Sequence, residues 1–567
     1  MIRPDRATRA DRLRVRRARG GLVAAALLAV LALTGCIGIP TAGGVQSGPI
    51  ETGGDDGSLI DIPEGPAAGA TPEEIIEGFL RAGRGPQDRY SVAREYLTTE
   101  YAGQWSPTEQ VRISGSTIQP VPTGSGSYEV TVTVTALVDA SGRYSEQTGQ
   151  QTLAFELVQE GGEYRIASAP PGTMLPRATF DNVFGSYPLY FFDPTFRYLV
   201  PDLRWFPRNT VTATRIVSEL LGGPTSWLAS GVLASAFPEG TALTEAVAVE
   251  GGTASVPLNP EVGSESATTQ TRMLQQLRAS LNSLGNVTSA DITVDGFGLD
   301  VPEGATQPDT QFQVGLNAVG QVGGRFGELT GSGVVELAGY GGRVADLEPR
   351  AASVQRGRDA VAVLAGDGVW RVPAEGDALL LDTRAGLVAP TTDPEGFVWS
   401  VPADDPQGLI AFGADGSPHP VPLDVDGRIT AIELSRDGSR LLVALDTASG
   451  SRLFVAGVVR DQQLEPVGLG AAFDLPYTGE PVDVAWADAG TVAVLSRLEE
   501  GVVVNSIVLG GRVAVLGVLS SGVQIVGGNN GVEGLRLLDA GGAVLRPTGS
   551  TEWGDTGLDA SFLATQQ

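Results

Sequence analysis

From Thr71 onward the hydrophobic and polar positions fall into three successive textures. The first opens on a helix. Ile75, Ile76, Phe79 and Leu80 recur at helical spacing, behind Thr71 as N-cap, Pro72 at the first helical position and Glu74 as the reciprocal residue of a capping box. A second helix is predicted through Tyr90, Ala93, Tyr96 and Leu97. The period then changes to two. Tyr128, Val130, Val132 and Val134 alternate with Glu129, Thr131, Thr133 and Thr135, and Leu153, Phe155 and Leu157 repeat the pattern. Gly161-Gly162 turns the chain into Tyr164-Arg165-Ile166. Helices followed by antiparallel strands predict an α+β domain over 71–185.

The second texture, 186–305, reads α–β–β–α–β. Asn209 or Thr210 is expected to cap a helix with the face Ile216, Val217, Leu220 and Leu221, and Gly222-Gly223-Pro224 ends it. Val247 and Val249 lead through Gly251-Gly252 to Ala254, Val256 and Leu258, a hairpin signature. Met273, Leu274, Leu277, Leu281 and Leu284 mark a second helix, and Val287, Ile292 and Val294 a strand ending at Asp295-Gly296. Between the first two textures lies an aromatic strip that includes Phe180, Phe184, Tyr187, Tyr190, Phe191, Phe192, Phe196, Tyr198, Trp205 and Phe206. Aromatics on this scale bury large areas, so the strip is read as a covered join between domains; a ligand-stacking surface is the alternative.

The third texture, 325–567, is all-β. Ser435-Arg436-Asp437-Gly438-Ser439-Arg440 precedes the run Leu441–Leu445, and looser copies stand at Arg358-Asp359, Asp393-Pro394-Glu395-Gly396 and Asp488-Ala489-Gly490. The aspartates are 34, 44 and 51 residues apart. That spacing suits four-stranded propeller blades, of which the segment holds five or six; a β-sandwich would need no repeat.

Ahead of these textures stands a different kind of segment. Eight arginines between Arg3 and Arg19 precede the apolar run Leu22–Ala32 and then Leu33-Thr34-Gly35-Cys36. A basic start, a short apolar stretch and small residues form a secretory signal, and the run is shorter than the roughly 20 residues a spanning helix needs. Small residues before the lone cysteine resemble the lipobox of bacterial lipoproteins. The resemblance implies a signal peptide over 1–35, cleavage after Gly35, diacylglycerol on the Cys36 sulfur and an N-acyl chain such as palmitate on its amino group. More than one acyl chain gives stable anchoring. Arg16-Arg17 leaves twin-arginine export open beside the general route. Residues 36–70, broken by Gly43, Gly44, Gly48, Pro49, Gly53, Gly54, Gly57, Pro63 and Pro66, read as a flexible tether.

Composition narrows the chemistry. The formal charge of the 567-residue chain is −28; residues 1–35 carry eight Arg and two Asp, so the chain from Cys36 onward has −34. Such a surface disfavours nucleic acid and anionic headgroups. All 38 basic residues are arginine, which removes Schiff-base and P-loop lysines, and one Cys with one His cannot build a Cys/His zinc site or an internal disulfide. No cofactor is expected. His419, flanked by Pro418 and Pro420, is read as a surface turn and not as a triad member. Asp404-Asp405 and Glu499-Glu500 read as solvated loop charges, and Asp424-Val425-Asp426-Gly427 as a turn without the later ligands of a calcium loop. No catalytic residue stands out.

Resemblances add the rest. The order of elements in 71–185 resembles NTF2-like domains. Glu219–Pro224, the hairpin Val247–Asn259 and Val287–Gly296 resemble the GerMN domain of spore-germination and sporulation proteins, which implies an extracytoplasmic domain beside the cell wall. The Ser-x-Asp-Gly turn is similar to that of TolB-type propellers, chiefly interaction platforms. The expected fold is therefore multidomain: two α+β domains, NTF2-like then GerMN-like, followed by a β-propeller. Lipobox, GerMN-like unit and propeller in this order resemble the actinobacterial LpqB lipoprotein family. The resemblance implies a partner, the extracytoplasmic region of the sensor histidine kinase MtrB of the MtrAB two-component system, and a role in cell-wall homeostasis and division. The alternatives are a peptidoglycan- or glycan-binding lipoprotein and a glycan hydrolase using a carboxylate pair. Replacing Cys36 by Ala is expected to abolish labelling by radioactive palmitate and to release the protein from the membrane fraction; retention of both would refute the lipid anchor.

Overall fold

The computed structural model describes residues 63–567 apart from 86–89, 116–117, 230, 302–305, 332, 356 and 358. The signal segment, Arg16-Arg17, Cys36, nearly all of the tether and Arg358 lie outside the described residues.

In the first domain the helix Pro72–Ala82 begins as its sequence requires. The Thr71 side chain accepts from the Glu74 N–H, and the Glu74 carboxylate accepts the Thr71 N–H at 2.8 Å. Its apolar face packs on a sheet ordered Glu163–Ser168, Tyr144–Glu160, Ser127–Asp139, Gln110–Ser114, Thr173–Leu175, with Val121–Pro122 beside the third strand. Val130, Val132, Val134, Leu153 and Phe155 meet Ile75 and Phe79 in one core. The expected second helix does not form as one piece. Ser91–Arg94 and Thr99–Ala102 are separate single turns. Between them Leu97 bridges Ile166 in parallel, and the Thr98 N–H donates to the Ile166 carbonyl at 2.9 Å. Pairing with a strand about 70 residues away overrides a helical stripe of only four residues. A helix layer on an antiparallel sheet is a broad architecture, and this strand order does not single out the NTF2-like group.

The aromatic strip is a two-stranded ribbon, Phe184–Phe192 with Leu199–Pro207. Phe180, Phe184, Phe191, Phe192 and Phe206 are buried, as a join between domains requires. One end of the ribbon stacks with the first domain, where Phe180 and Phe184 lie 4.8 Å apart. The other supports the second domain. There Thr212–Leu221 and Ala267–Leu281 cover a sheet ordered Phe297–Gly298, Ser289–Val294, Thr253–Leu258, Ala248–Glu250. The N-cap of Thr212–Leu221 is Val211, not Asn209 or Thr210. Asn209, two residues ahead of the cap, accepts the Val211 N–H on Oδ1 at 3.1 Å, while Thr212 Oγ1 donates to the Pro207 carbonyl at 2.7 Å. The buried pair Arg204–Asp202, at 2.8 Å, ties three parts together. Arg204 also donates to the Ser141 carbonyl of the first domain, and Asp202 accepts the Thr225 N–H.

The third domain is a propeller of six four-stranded blades among the described residues. The innermost strands are Ala351–Val354, Thr391–Thr392, Arg428–Leu434, Glu480–Trp486, Gln524–Val526 and Phe562–Gln566. The last of these closes the ring. It pairs antiparallel with Val319–Val322, so the final blade takes its inner strand from the C-terminus and its outer three from 319–336. It also pairs in parallel with Ala351–Val354 of the next blade. Closure spares the ring two exposed inner edges. The four repeated turns with Asp359, Asp393, Asp437 and Asp488 all lie between the first and second strands of their blades. Five of the six outermost strands carry proline or an acidic residue. The sixth, Val513–Leu519, carries neither, and Val515 and Val518 are exposed.

The ribbon and second domain dock on this propeller. Trp227 stacks on Phe473 at 5.2 Å, the Trp205 indole N–H donates to the Gly510 carbonyl at 3.0 Å, and Arg512 pairs with Asp181 of the first domain. Ending the chain after Ser561 is expected to abolish the cooperative melting of the propeller in calorimetry and to open it to protease; a truncated chain that melts like the full one would show that closure is dispensable.

Candidate functional site

Strands alternate in direction within each blade, so the loops between first and second strands gather at one end of the ring, the mouth, and those between second and third at the other. Aspartate organises the mouth. Asp393 Oδ1 accepts the N–H groups of Glu395 and Phe397, and its Oδ2 takes the Trp399 indole at 3.0 Å and Arg460 of the next blade at 2.6 Å. Asp437 accepts from Ser435, Ser439 and Arg440, with Gly438 at φ 71 completing the turn. A short side chain that folds back on its own backbone is why Asp recurs here. The fully buried Arg440 guanidinium lies 4.7 Å from the Trp486 ring centre.

A strap of the chain's own backbone crosses this mouth. Asp309 bridges Tyr198 at the ribbon tip. Phe312, 5% exposed, meets the Tyr198 ring edge-on at 5.4 Å. Arg436 donates to the Phe312 carbonyl at 3.1 Å and to Gly528 at 2.9 Å. Asn529 reads Val314 with both ends of its amide: the Val314 N–H reaches Oδ1 at 2.9 Å, and Nδ2 donates to the Val314 carbonyl at 2.9 Å. Beside the strap lies a cleft of about 520 Å³ whose walls include Tyr190, Pro201, Leu203, Asp488 and Asn530. This is within the size range of ligand sites. Burial, then the Asp488 charge, raise the Tyr190 hydroxyl above its ordinary pKa.

Below the mouth two carboxyl groups sit on neighbouring inner strands. Glu433 is 4% exposed, and its Oε2 has no hydrogen-bond partner. Burial and then the Asp483 charge push it up to about 8, against the opposing pull of the Trp486 hydrogen bond and Arg436. Asp483, which accepts the Ile525 N–H at 2.8 Å and is itself raised to about 7 chiefly by burial, is the other.

At the far end, the acidic doublets that looked unrelated in sequence share one face. Asp404-Asp405 and Glu499-Glu500 lie in loops between second and third strands, and Asp424 and Asp426 in a loop between blades; all six are exposed. Arg428 pairs with Asp404 there at 3.1 Å. His419 lies in the outer strand Pro418–Pro420, not in a turn. Its ring packs edge-on to Phe397 at 5.3 Å and faces Glu465 at 3.5 Å. Two prolines are tolerated there because an outermost strand needs its donors on one side only. Among the described residues no three His, Cys, Asp or Glu side chains gather in a metal-holding group, and no helix is long and apolar enough to cross a membrane. Periodicity gave no sign of Phe312, Arg436 or Asn529 as partners, since their meeting depends on how the ring closes.

Three family profiles match in succession: the N-terminal domain of lipoprotein LpqB over 65–181, the sporulation and spore germination domain Germane over 188–300, and the LpqB beta-propeller domain over 324–556. Similar relatives named lipoprotein LpqB occur in Cutibacterium acnes, 26% identical over 84% of this chain and 86% of the relative, and in Thermobifida fusca, 26% identical over 85% and 88%. A third, in Streptomyces avermitilis, is 26% identical over 83% and 85%. Among solved structures, the first GerMN domain of the Bacillus subtilis sporulation protein GerM is 21% identical, with 22% of this chain and 94% of that one covered at a TM-score of 0.18. A chain of a nidogen/laminin complex is 10% identical, with 44% and 95% covered at a TM-score of 0.33.

Glu433 supplies the prediction. Its folded pKa of about 8 exceeds its unfolded value, so the folded chain holds the extra proton between roughly pH 4.5 and 8. Stability from this group is therefore present below that window and lost as pH rises through it. Glu433→Gln, which keeps the shape without the charge, is expected to raise the melting temperature by a few degrees at pH 8.5 and to change it little at pH 5. An equal effect at both pH values would show that the carboxyl is not buried unpaired.

Proposed function

We propose that this chain, which belongs to the LpqB lipoprotein family, is a lipid-anchored binding protein of the extracytoplasmic membrane face that modulates a sensor histidine kinase, MtrB in the family resemblance. The membrane anchor is the acylated Cys36, with residues 37–70 as the tether. The observation that carries the binding reading is the division of the propeller into two unlike ends. The ribbon tip and the strap lie over one; the other carries the exposed side chains of Asp404, Asp405, Asp424, Asp426, Glu499 and Glu500. A face with acids in excess, Arg428 being paired with Asp404, speeds association with an oppositely charged partner and selects against like-charged ones, with strong dependence on salt. The partner surface is therefore basic. Recognition without catalysis fits a chain whose one imidazole sits in an outer propeller strand against Phe397.

The test is surface binding between the full mature chain and the purified extracytoplasmic region of the kinase, with purified peptidoglycan as a parallel ligand. Saturable binding that weakens about tenfold from 50 to 300 mM salt is expected. Replacing Asp424, Asp426, Glu499 and Glu500 together by Arg is expected to lower the association rate at least tenfold without lowering the melting temperature. Retention on peptidoglycan with no kinase binding would put a wall-binding protein in place of the signalling accessory.

A further inference from the structure

We propose that the propeller mouth is a peptide-binding site that reads extended backbone, and that residues 310–314 fill it as an internal ligand which a partner's extended segment can replace. The proposal goes beyond the kinase reading and stands without it.

The manner of attachment points to a ligand and not to a further strand. Strands of this domain hold one another through ladders of main-chain bonds, whereas Arg436 and Asn529 grip the backbone of Phe312 and Val314 with their side chains. Asn529 satisfies both the donor and the acceptor of one residue, a contact that any amino acid other than proline can make. Specificity comes from one place, the Phe312 ring buried against Tyr198. The replacement is thus an extended segment with an aromatic residue two positions before a residue with a free N–H. Gln311 and Gln313 on either side of that ring are exposed, as expected where the backbone and one anchor are read. The cleft of about 520 Å³ alongside the strap leaves room for an incoming chain before the resident one has left. Exchange of this kind is governed by effective concentration: a tethered segment outcompetes a free one of equal intrinsic affinity until the free one reaches roughly millimolar levels.

The probe is a fluorescein-labelled peptide of residues 310–317, Thr-Gln-Phe-Gln-Val-Gly-Leu-Asn, titrated by polarisation into the full mature chain. Phe312→Ala empties the anchor pocket. The peptide is expected to bind that variant at least tenfold more tightly than the unsubstituted chain, and to lose binding when Asn529→Asp is added. No binding to the Phe312→Ala chain, or binding indifferent to Asn529→Asp, would overturn the proposal. A second measurement needs no variant. Hydrogen exchange at the Val314 amide of the unsubstituted chain is expected to be at least a hundredfold faster than at Val443 in a propeller strand and to slow when excess peptide lacking the label is replaced by none. Exchange of Val314 only at the rate of Val443 would show that the strap does not leave the mouth.

Discussion

Closure of the ring by Phe562–Gln566 is the constraint on which the rest of the molecule depends. This strand is the inner wall of the last blade and is bonded on both flanks, to Val319–Val322 and to Ala351–Val354. With no disulfide available from a single cysteine, the ring is held by main-chain bonds and buried apolar contact. Closure also dictates the path of the incoming chain. Because Val319 pairs with the innermost strand, the segment before it must arrive at the mouth, and that is where Phe312 and Val314 are found.

Arginine does the work that lysine would share elsewhere. Arg204 with Asp202, Arg460 with Asp393 and Arg440 with Asp437 are buried pairs, and each sits at a junction: where the ribbon meets the first and second domains, blade to blade, or strand to turn. A planar guanidinium can satisfy a carboxylate and a carbonyl together, as Arg204 does with Asp202 and Ser141, which suits burial better than an ammonium would. Losing one partner of such a pair leaves an uncompensated charge, at a cost of about 3–5 kcal/mol. Glu433 is the exception, a buried carboxyl without a hydrogen bond to Oε2, and neutrality is its solution.

What the sequence discloses depends on distance along the chain. Thr71, Pro72 and Glu74 announce a helix start because all the partners lie within four residues. The alternation from Tyr128 to Thr135 announces a strand because the pleat has a period of two. The Asp turns are legible for the same reason, since Asp393 and Asp437 bond mainly to their own loops. The failures come from long-range pairing. Leu97 looked helical until Ile166 claimed it, and the acidic loops looked unrelated until blade alternation set them on one face. Asn529 carried only a turn signal, Gly-Gly-Asn-Asn-Gly, and its partner lies 215 residues earlier.

The bare outer strand Val513–Leu519 has a consequence for crowding. Under the proposed Cys36 anchor, molecules would be confined to a plane and would meet side to side. The other blade rims are guarded locally by proline or acid; this one is guarded by the bulk negative charge of the chain, −34 over residues 36–567. Repulsion between copies reaches about 8 Å at physiological ionic strength, so brine, and not sequence, decides whether two such rims can zip together into sheets that span molecules.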